Sequence, residues 1–328
     1  MYKAFYNLKR NPFELPPDPS FLFPTSRHNE ALAALYYGVR RQKGFVVMTG
    51  EVGTGKTLLV RCLLQLLRGT NVAYAYVFNS RLSSTEFLQY VAGDFGLDAS
   101  GKTKAELLLA LGSFLVARHQ KNLTTVLVAD EAHHLSTEVL EEIRLLTNLE
   151  TSQGKLLQIL LVGQPELDEK LDSVELRQLK QRIALRSHLL PLDLEETRGY
   201  IQRRLHLASA NSSAGTIFPE ETLAEVYRHS RGLPRLINSI CENALIGGYA
   251  RQLKSITPDI IGEVATDLRL NLVRTPRPPE IARNDSAELW QAIKTLLQTH
   301  EQLNVMRSGD TESVVSNISG AKTHEPFI

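Results

Sequence analysis

The residues with the clearest chemical meaning in this 328-residue chain form one glycine-rich segment, Gly50–Thr57. The segment fits the pattern GxxxxGK[ST], whose glycines let backbone N–H groups surround phosphate oxygens. We expect Lys56 to reach the β- and γ-phosphates and the Thr57 hydroxyl to ligate Mg²⁺. The pattern therefore predicts a nucleoside triphosphate site. Its expected binding residues are Gly50, Glu51, Val52, Gly53, Thr54, Gly55, Lys56, Thr57 and Leu58.

An acidic pair, Asp130 and Glu131, directly follows the apolar run Thr124–Ala129. In a phosphate-loop site one such carboxylate holds the metal shell and the next polarises the attacking water. We assign the first role to Asp130 and the second to Glu131, so that Thr57 and Asp130 are the expected metal ligands. Adjacent carboxylates are common by chance, so the functional interpretation of this pair depends on the upstream phosphate loop.

The residues Ala132 and His133 extend the acidic pair to the letters D-E-A-H, which also occur in helicases. Such helicases need two tandem sheet domains, whereas the segment that follows here is short and helical. We therefore expect His133 and His134 to pack or to begin a helix, and we do not expect them to ligate a metal.

Gln164 follows a third apolar run and is placed to reach between the γ-phosphate and the attacking water; the alternative is an ordinary turn residue. The segment 177–186 is dense in Lys and Arg. It is either a solvated helix face or the source of an arginine that stabilises transition-state charge at a neighbouring subunit's γ-phosphate. Arg182 is the first choice for that arginine and Arg186 the second. Arg235 follows a turn and begins a helix, from which it could reach back to the phosphates.

These side chains need a sheet to position them, and the apolar pattern predicts one. Continuous apolar runs separated by helical patterns are typical of a mostly parallel sheet covered by helices on both faces. Downstream of Leu192 the pattern changes to helices. We expect four regions: an N-terminal Pro- and aromatic-rich segment draped over a globular body, an α/β core, a helical domain, and a linker with a short amphipathic helix and a disordered tail. Their expected limits are 1–27, 28–192, 193–271 and 272–328.

Composition narrows the class of protein. Apolar residues make up 43% of the chain, which is ample for a core, and the net charge of +1 gives no global attraction to nucleic acid or anionic membranes. The two cysteines, Cys62 and Cys241, lie far apart and fit buried thiols in a reducing compartment. No stretch approaches a membrane span, and no secretory signal opens the chain. We expect a cytoplasmic protein.

Residues 28–270 resemble an AAA+ ATPase. The segments that carry this resemblance are 50–57, 126–131, 181–183 and 232–235. Within that superfamily the chain most resembles the ExeA/GspA-type ATPases of general secretion and of related pilus or exopolysaccharide loci. The N-terminal aromatic and proline residues carry much of this second resemblance. The matching residues are 1–2, 5–6, 8, 11–13, 17–19, 21–23, 44–45, 50–57 and 161–167.

The resemblance implies an α/β fold of the P-loop NTPase type, with a three-layer αβα parallel sheet and a C-terminal α-helical AAA+ lid domain. It also implies ATP and Mg²⁺ at the junction, and a homo-oligomeric ring or filament in which Arg182 acts in trans. The expected role is assembly of an envelope secretion apparatus, with attachment to the inner membrane through a partner. Well-known relatives carry a membrane helix and a peptidoglycan-binding region after the ATPase, and the polar tail here does not resemble them.

The sequence also allows two other functions. The chain resembles transposition regulators of the same branch, which form filaments on duplex DNA. It could also be a nucleotide-dependent scaffold that hardly hydrolyses ATP, although Lys56, Asp130 and Glu131 argue against that role.

Overall fold

Parallel strands form the central layer of the protein. The computed structural model describes residues 2–78, 81–151, 154–210 and 217–270. Its strands are β1 (Phe45–Gly50), β2 (Ala73–Val77), β3 (Thr125–Ala129), β4 (Glu150–Thr151), β5 (Gly154–Lys155), β6 (Gln158–Gly163) and β7 (Leu185–Leu189). Five of them form one sheet in the order β2-β3-β6-β1-β7, while β4 and β5 form a short antiparallel hairpin.

Helices surround the sheet and continue beyond it. They are α1 (Tyr2–Phe5), α2 (Ser26–Arg40), α3 (Lys56–Leu67), α4 (Ser84–Asp94), α5 (Lys104–Gln120), α6 (Thr137–Leu146), α7 (Glu166–Leu171), α8 (Arg177–Lys180), α9 (Leu194–Ala208), α10 (Glu220–Ser230), α11 (Pro234–Ala250) and α12 (Pro258–Asp267).

The pleat of β1 explains the three layers. Phe45 and Val47 pack into a core with α4, α5 and α6, whereas Val46 and Met48 pack into a second core with α2 and α3. Successive side chains of a strand point to opposite faces, so a continuous apolar run buries both faces at once. All four ladders of the sheet are parallel. The predicted parallel α/β fold covered on both faces is therefore confirmed.

The edge strand β7 was not predicted. Its first two residues lie in the segment 177–186, which the sequence marks only as rich in Lys and Arg. Its residues alternate: Arg186 and His188 are exposed, while Leu189 is buried. An edge strand needs one buried face only, so its apolar signal is weaker than that of the central strands. Strand β7 pairs in parallel with β1, from Val46–Leu185 to Gly50–Leu189. Arg182 therefore precedes the end of β7 that lies beside Val46, and the opposite end lies beside Gly50.

The residues after β7 build a helical bundle with its own core. The four helices α9 to α12 contribute buried residues such as Ile201, Val226, Ile240 and Ile261. The helix α9 begins with a capping box, in which Asp193 and Glu196 each accept the other's backbone N–H. The bundle is the helical lid that the resemblance implies. The exact limits of core and lid remain a prediction.

The N-terminal segment packs on this bundle. Tyr2, Tyr6, Leu8 and Phe13 belong to the bundle's core, and Arg204 donates a buried 2.6 Å hydrogen bond to the carbonyl oxygen of Pro12. The draped segment was thus predicted correctly. The tail prediction for 272–328 lies outside the described residues. No helix in the described part of the chain is long and apolar enough to cross a membrane.

Candidate ATP site

The phosphate loop connects β1 to α3, as its pattern predicts. Two glycines make the loop possible, since Gly53 and Gly55 have φ values of 84° and 101°, which side chains disfavour. Gly50 is needed for another reason: a Cβ there would lie 2.7 Å from the carbonyl oxygen of Leu189. The loop ends where α3 begins, so the N–H groups of the first helical turn face the space that the loop surrounds.

The side chain of Lys56 lies within the loop. It is 6% exposed, and its ammonium group donates to the carbonyl oxygens of Gly50 at 2.7 Å and Glu51 at 3.0 Å. Burial lowers the pKa of Lys56, while the nearby carboxylates of Glu131 and Asp130 oppose that shift. The charge is therefore held by loop carbonyls and acidic side chains, in the place where phosphate oxygens are expected.

Asp130 lies beside the loop at the carboxyl end of β3. Its Oδ2 accepts hydrogen bonds from the Thr57 hydroxyl at 3.0 Å and from the Tyr76 phenol at 2.6 Å. Its Oδ1 accepts the backbone N–H of Glu131 at 2.9 Å. Because Asp130 is only 6% exposed, these bonds fix the orientation of its carboxylate.

The oxygen donors of Thr57 and Asp130 suit Mg²⁺, which prefers hard oxygen ligands. Within the described ranges, no cluster of three or more His, Cys, Asp or Glu side chains could hold a metal ion. Mg²⁺ is usually held by one or two protein groups together with substrate phosphates and water, so a site of this kind needs no more protein donors than Thr57 and Asp130. The donor set therefore fits the predicted ion.

Glu131 has an unusual backbone for a glutamate, with a left-handed φ of 51°. This conformation turns the chain sharply from β3 into a short 3₁₀ turn, Ala132–His134. The carboxylate Oε2 is buried without a hydrogen bond and lies 3.5 Å from Nδ1 of His133. Left-handed backbone in a non-glycine residue costs about 1–2 kcal/mol, so the surrounding structure must hold Glu131 in place.

Gln164 lies at the carboxyl end of β6, next to β3 in the sheet. Its backbone N–H donates to Nδ1 of His133 at 3.3 Å, and its side-chain amide lies 2.9 Å from Nε2 of the same ring. Burial, followed by the adjacent His134, lowers the pKa of His133. The structure therefore brings Gln164 and Glu131 to the same edge of the sheet, with His133 between them.

Arg182 lies away from the phosphate loop of its own chain. Arg182 precedes β7 and donates to the Thr147 hydroxyl. From Val46 to Gly50 the paired strands rise by about 13 Å, and Arg182 lies beyond the Val46 end of that rise. Arg186, within β7, forms an ion pair of 2.9 Å with Asp168.

Arg235 begins α11 and lies directly on the loop. Its backbone N–H donates to the carbonyl oxygen of Gly53 at 3.2 Å, and its exposed side chain projects from the first turn of the helix. Gly232, three residues earlier, has a φ of 74°, and its carbonyl oxygen accepts a hydrogen bond from the backbone N–H of Leu192 at 2.9 Å. The lid is thus attached to both the loop and the end of the core.

The structure adds residues that the sequence patterns did not indicate. The side chain of His28 is buried and bridges the Thr25 hydroxyl at 2.7 Å and the Thr54 carbonyl at 3.0 Å. Its pKa is lowered, mainly by burial. Thr25 caps α2, and its side chain also accepts the backbone N–H of His28.

A small, mostly apolar cleft of about 30 Å³, open to solvent, lies beside Gly55 of the phosphate loop. Its walls come from the N-terminal segment, the loop, α3 and the lid, which no local pattern could have joined. The lining residues are Leu22, Phe23, His28, Thr54, Gly55, Leu58, Leu192, Tyr200 and Pro234.

Comparisons with known proteins agree with this geometry. The AAA domain family matches residues 39–171. General secretion pathway protein A of Aeromonas hydrophila is 44% identical over 252 residues, which are 76% of this chain and 45% of that protein. The chain therefore spans about half the length of this curated relative.

Solved structures are similar in fold at low identity. The Aeropyrum pernix ORC2 protein, solved as ADPNP–ADP complexes, has a TM-score of 0.59 at 18% identity, covering 79% of this chain and 72% of that one. Drosophila ORC bound to DNA has a TM-score of 0.58 at 18% identity, covering 82% and 65%. These structures agree with the fold alone. The 44% identity to general secretion pathway protein A and the match to the AAA domain family show that the chain belongs to the AAA family, in the group related to that protein.

Proposed function

We propose that this protein hydrolyses ATP in a Mg²⁺-dependent reaction at the site formed by the phosphate loop, Asp130 and Glu131. The observation that carries the proposal is the 3.0 Å hydrogen bond between Thr57 and Asp130, which joins the loop to the acidic strand end. Bound Mg²⁺ would neutralise charge on the β- and γ-phosphate oxygens. Thr57 and Asp130 would hold it, and Tyr76 would keep Asp130 oriented.

Each remaining side chain has a defined part in this mechanism. Lys56 stabilises charge on the β- and γ-phosphates. Glu131 accepts the proton of the attacking water, and Gln164 donates a hydrogen bond between the water and the γ-phosphate. Arg235 brings a further positive charge from the lid, which we place at about residues 193–271, against a core of residues 28–192.

The test uses Glu131→Gln, because the amide keeps the size of the carboxylate but cannot accept the proton. We expect this variant to bind ATP as tightly as the wild type and to lose about 10²-fold or more in turnover, within the range of general base catalysis. Glu175→Gln, at an exposed site between α7 and α8, is the matched control. Removal of Mg²⁺ by EDTA should stop the wild type. Wild-type turnover by Glu131→Gln would remove Glu131 as the base.

The active form is proposed to be a homo-oligomer, ring or filament, in which Arg182 reaches the neighbour's ATP. Its position at the amino edge of β7, opposite its own phosphate loop, supports action in trans. Arg186 is the weaker candidate because Asp168 already neutralises it.

The biological role is proposed from the similarity to general secretion pathway protein A. The protein would act on the cytoplasmic side of the envelope as a motor or switch that helps assemble a secretion, pilus or exopolysaccharide export apparatus. It would attach to the inner membrane through a partner. Loss of assembly in cells that carry only Glu131→Gln would support this role, and normal assembly would contradict it.

Duplex DNA is the alternative partner. Drosophila ORC, solved bound to DNA, has a similar fold, and this similarity is the reason to test DNA binding. At 18% identity the similarity concerns the fold alone. A DNA-associated ATPase related to transposition regulators would bind duplex DNA in an ATP-dependent manner that weakens steeply with salt. Absence of binding at low salt would exclude this alternative.

A further inference from the structure

His133 is a buried side chain that lies between two groups assigned to catalysis. It is 9% exposed, and its Nδ1 lies 3.5 Å from Glu131 Oε2 and 3.3 Å from the backbone nitrogen of Gln164. Its Nε2 lies 2.9 Å from the Gln164 side-chain amide. One imidazole thus touches both the expected base and the expected sensor of the γ-phosphate.

The hydrogens on this ring determine which way the Gln164 amide faces. A neutral imidazole has one donor nitrogen and one acceptor nitrogen. The backbone N–H of Gln164 can only donate, so Nδ1 accepts and Nε2 carries the hydrogen. The Gln164 atom placed 2.9 Å from Nε2 is the amide nitrogen, which also carries hydrogens and cannot accept. We therefore assign the amide in the turned orientation, with its oxygen facing the ring, since the nitrogen and oxygen of an amide are told apart only by such contacts. The NH₂ group of Gln164 therefore faces away from the ring and is free to donate to another acceptor.

The backbone of the turn that carries His133 is held by contacts that do not involve the imidazole. Lys170 donates to the carbonyl oxygens of His133 at 2.9 Å and Leu135 at 2.6 Å. The neighbouring strand end is also close, since a Cβ on Gly163 would lie 3.2 Å from the backbone nitrogen of His133. Replacing the imidazole should therefore leave the 3₁₀ turn in place.

We propose that His133 is a positioning residue, which orients the Gln164 amide so that its NH₂ group donates at the γ-phosphate while its ring packs against the Glu131 carboxylate. Hydrolysis would then depend on His133 through Gln164, although His133 does not touch the substrate. The proposal rests on the proposed function, because it assigns a role to Gln164 in ATP hydrolysis.

The test compares three substitutions of His133. His133→Leu removes both polar contacts, His133→Asn keeps a polar group near the Nδ1 position, and His133→Gln keeps one near the Nε2 position. We expect the leucine variant to lose about tenfold or more in kcat, about 1.4 kcal/mol in activation free energy, with an unchanged dissociation constant for ATP. His133→Gln should recover most of the rate because it can still bond the Gln164 amide. His134→Leu is the matched control, since His134 is exposed and only stacks on His133.

A double-mutant cycle with Gln164→Ala separates positioning from packing. If His133 acts through Gln164, His133→Leu should cost little further in the Gln164→Ala protein. Losses that multiply, or a wild-type kcat in His133→Leu, would overturn the proposal. Should the leucine variant fail to fold, His133→Asn must show the loss and His133→Gln the recovery, and the reverse order would overturn it.

The same assay distinguishes this proposal from the proposed function. Glu131→Gln and Gln164→Ala are measured beside the His133 variants. If both of those are slow while His133→Leu is as fast as the wild type, only the role of His133 fails. If Glu131→Gln turns over normally, the proposed catalytic site itself fails.

Discussion

The backbone N–H of Arg235 lies 3.2 Å from the carbonyl oxygen of Gly53, so the helical lid is hydrogen-bonded to the phosphate loop itself. The approach is close, because a Cβ on Gly53 would lie 2.7 Å from the Cβ of Arg235. A rearrangement of the loop would therefore either break this hydrogen bond or move α11.

Gly232→Ala should disrupt the second contact between lid and core, in which Gly232 packs against Leu192. A Cβ there would lie 1.8 Å from the carbonyl oxygen of Leu192, and the φ of 74° is left-handed. The strained backbone and the overlap together should cost about 2–4 kcal/mol in the free energy of unfolding. Urea denaturation measures the loss. Gly262→Ala, where a Cβ would meet nothing within 4 Å, is the control and should gain up to about 1 kcal/mol from helix propensity. Equal stability of both variants would contradict the assigned contact.

Lys56→Ala should weaken ATP binding by about 10- to 150-fold, since each hydrogen bond to a charged group contributes about 1.5–3 kcal/mol. A fluorescent ATP analogue titrated into each protein gives the dissociation constants. Lys121→Ala, at the exposed end of α5, controls for loss of a surface charge. An unchanged affinity in Lys56→Ala would remove the phosphate loop as the binding site.

Arg182→Ala should leave ATP binding intact and reduce turnover of the assembled protein by about 10³-fold, as for an arginine that stabilises phosphoryl transfer. Arg177→Ala, an exposed neighbour on α8, should turn over normally. Mixing Arg182→Ala with Glu131→Gln should restore activity, because the Glu131 of one subunit would meet the Arg182 of the next. A mixture that stays inactive at every ratio would argue against a shared site.

Acid should destabilise the protein through His28. Burial holds the pKa of His28 below its ordinary value of 6.5, so below that pH the unfolded chain takes up a proton that the folded chain does not. The free energy of unfolding therefore falls as the pH drops below about 6.5, by at most about 1.4 kcal/mol per pH unit. His28→Gln should show a shallower slope between pH 7.5 and pH 5.5 in urea denaturation. Identical slopes would show that His28 is not the source.

The sequence alone was enough to predict the groups whose chemistry depends on residues next to them in the chain. Gly50–Thr57 and Asp130–Glu131 were recognisable because a phosphate loop needs glycines at fixed positions and a metal-binding carboxylate follows a buried strand. The central strands were predicted for a similar reason: both of their faces are buried, and the apolar run is continuous. The edge strand β7 carried no such signal, since only one face is buried.

The contacts that the sequence did not indicate join residues far apart in the chain. Tyr76 meets Asp130, and His133 meets Gln164, because parallel strands bring their carboxyl ends together at one edge of the sheet. His28 meets Thr54 because α2 packs with α3 in the same core, beside the phosphate loop. The cleft beside Gly55 needs the N-terminal segment and the lid to close on the loop. The sequence by itself determined which groups can bind phosphate and metal, because that chemistry is local. Tertiary structure decided which side chains orient them, because hydrogen bonds between distant residues depend on strand order and packing.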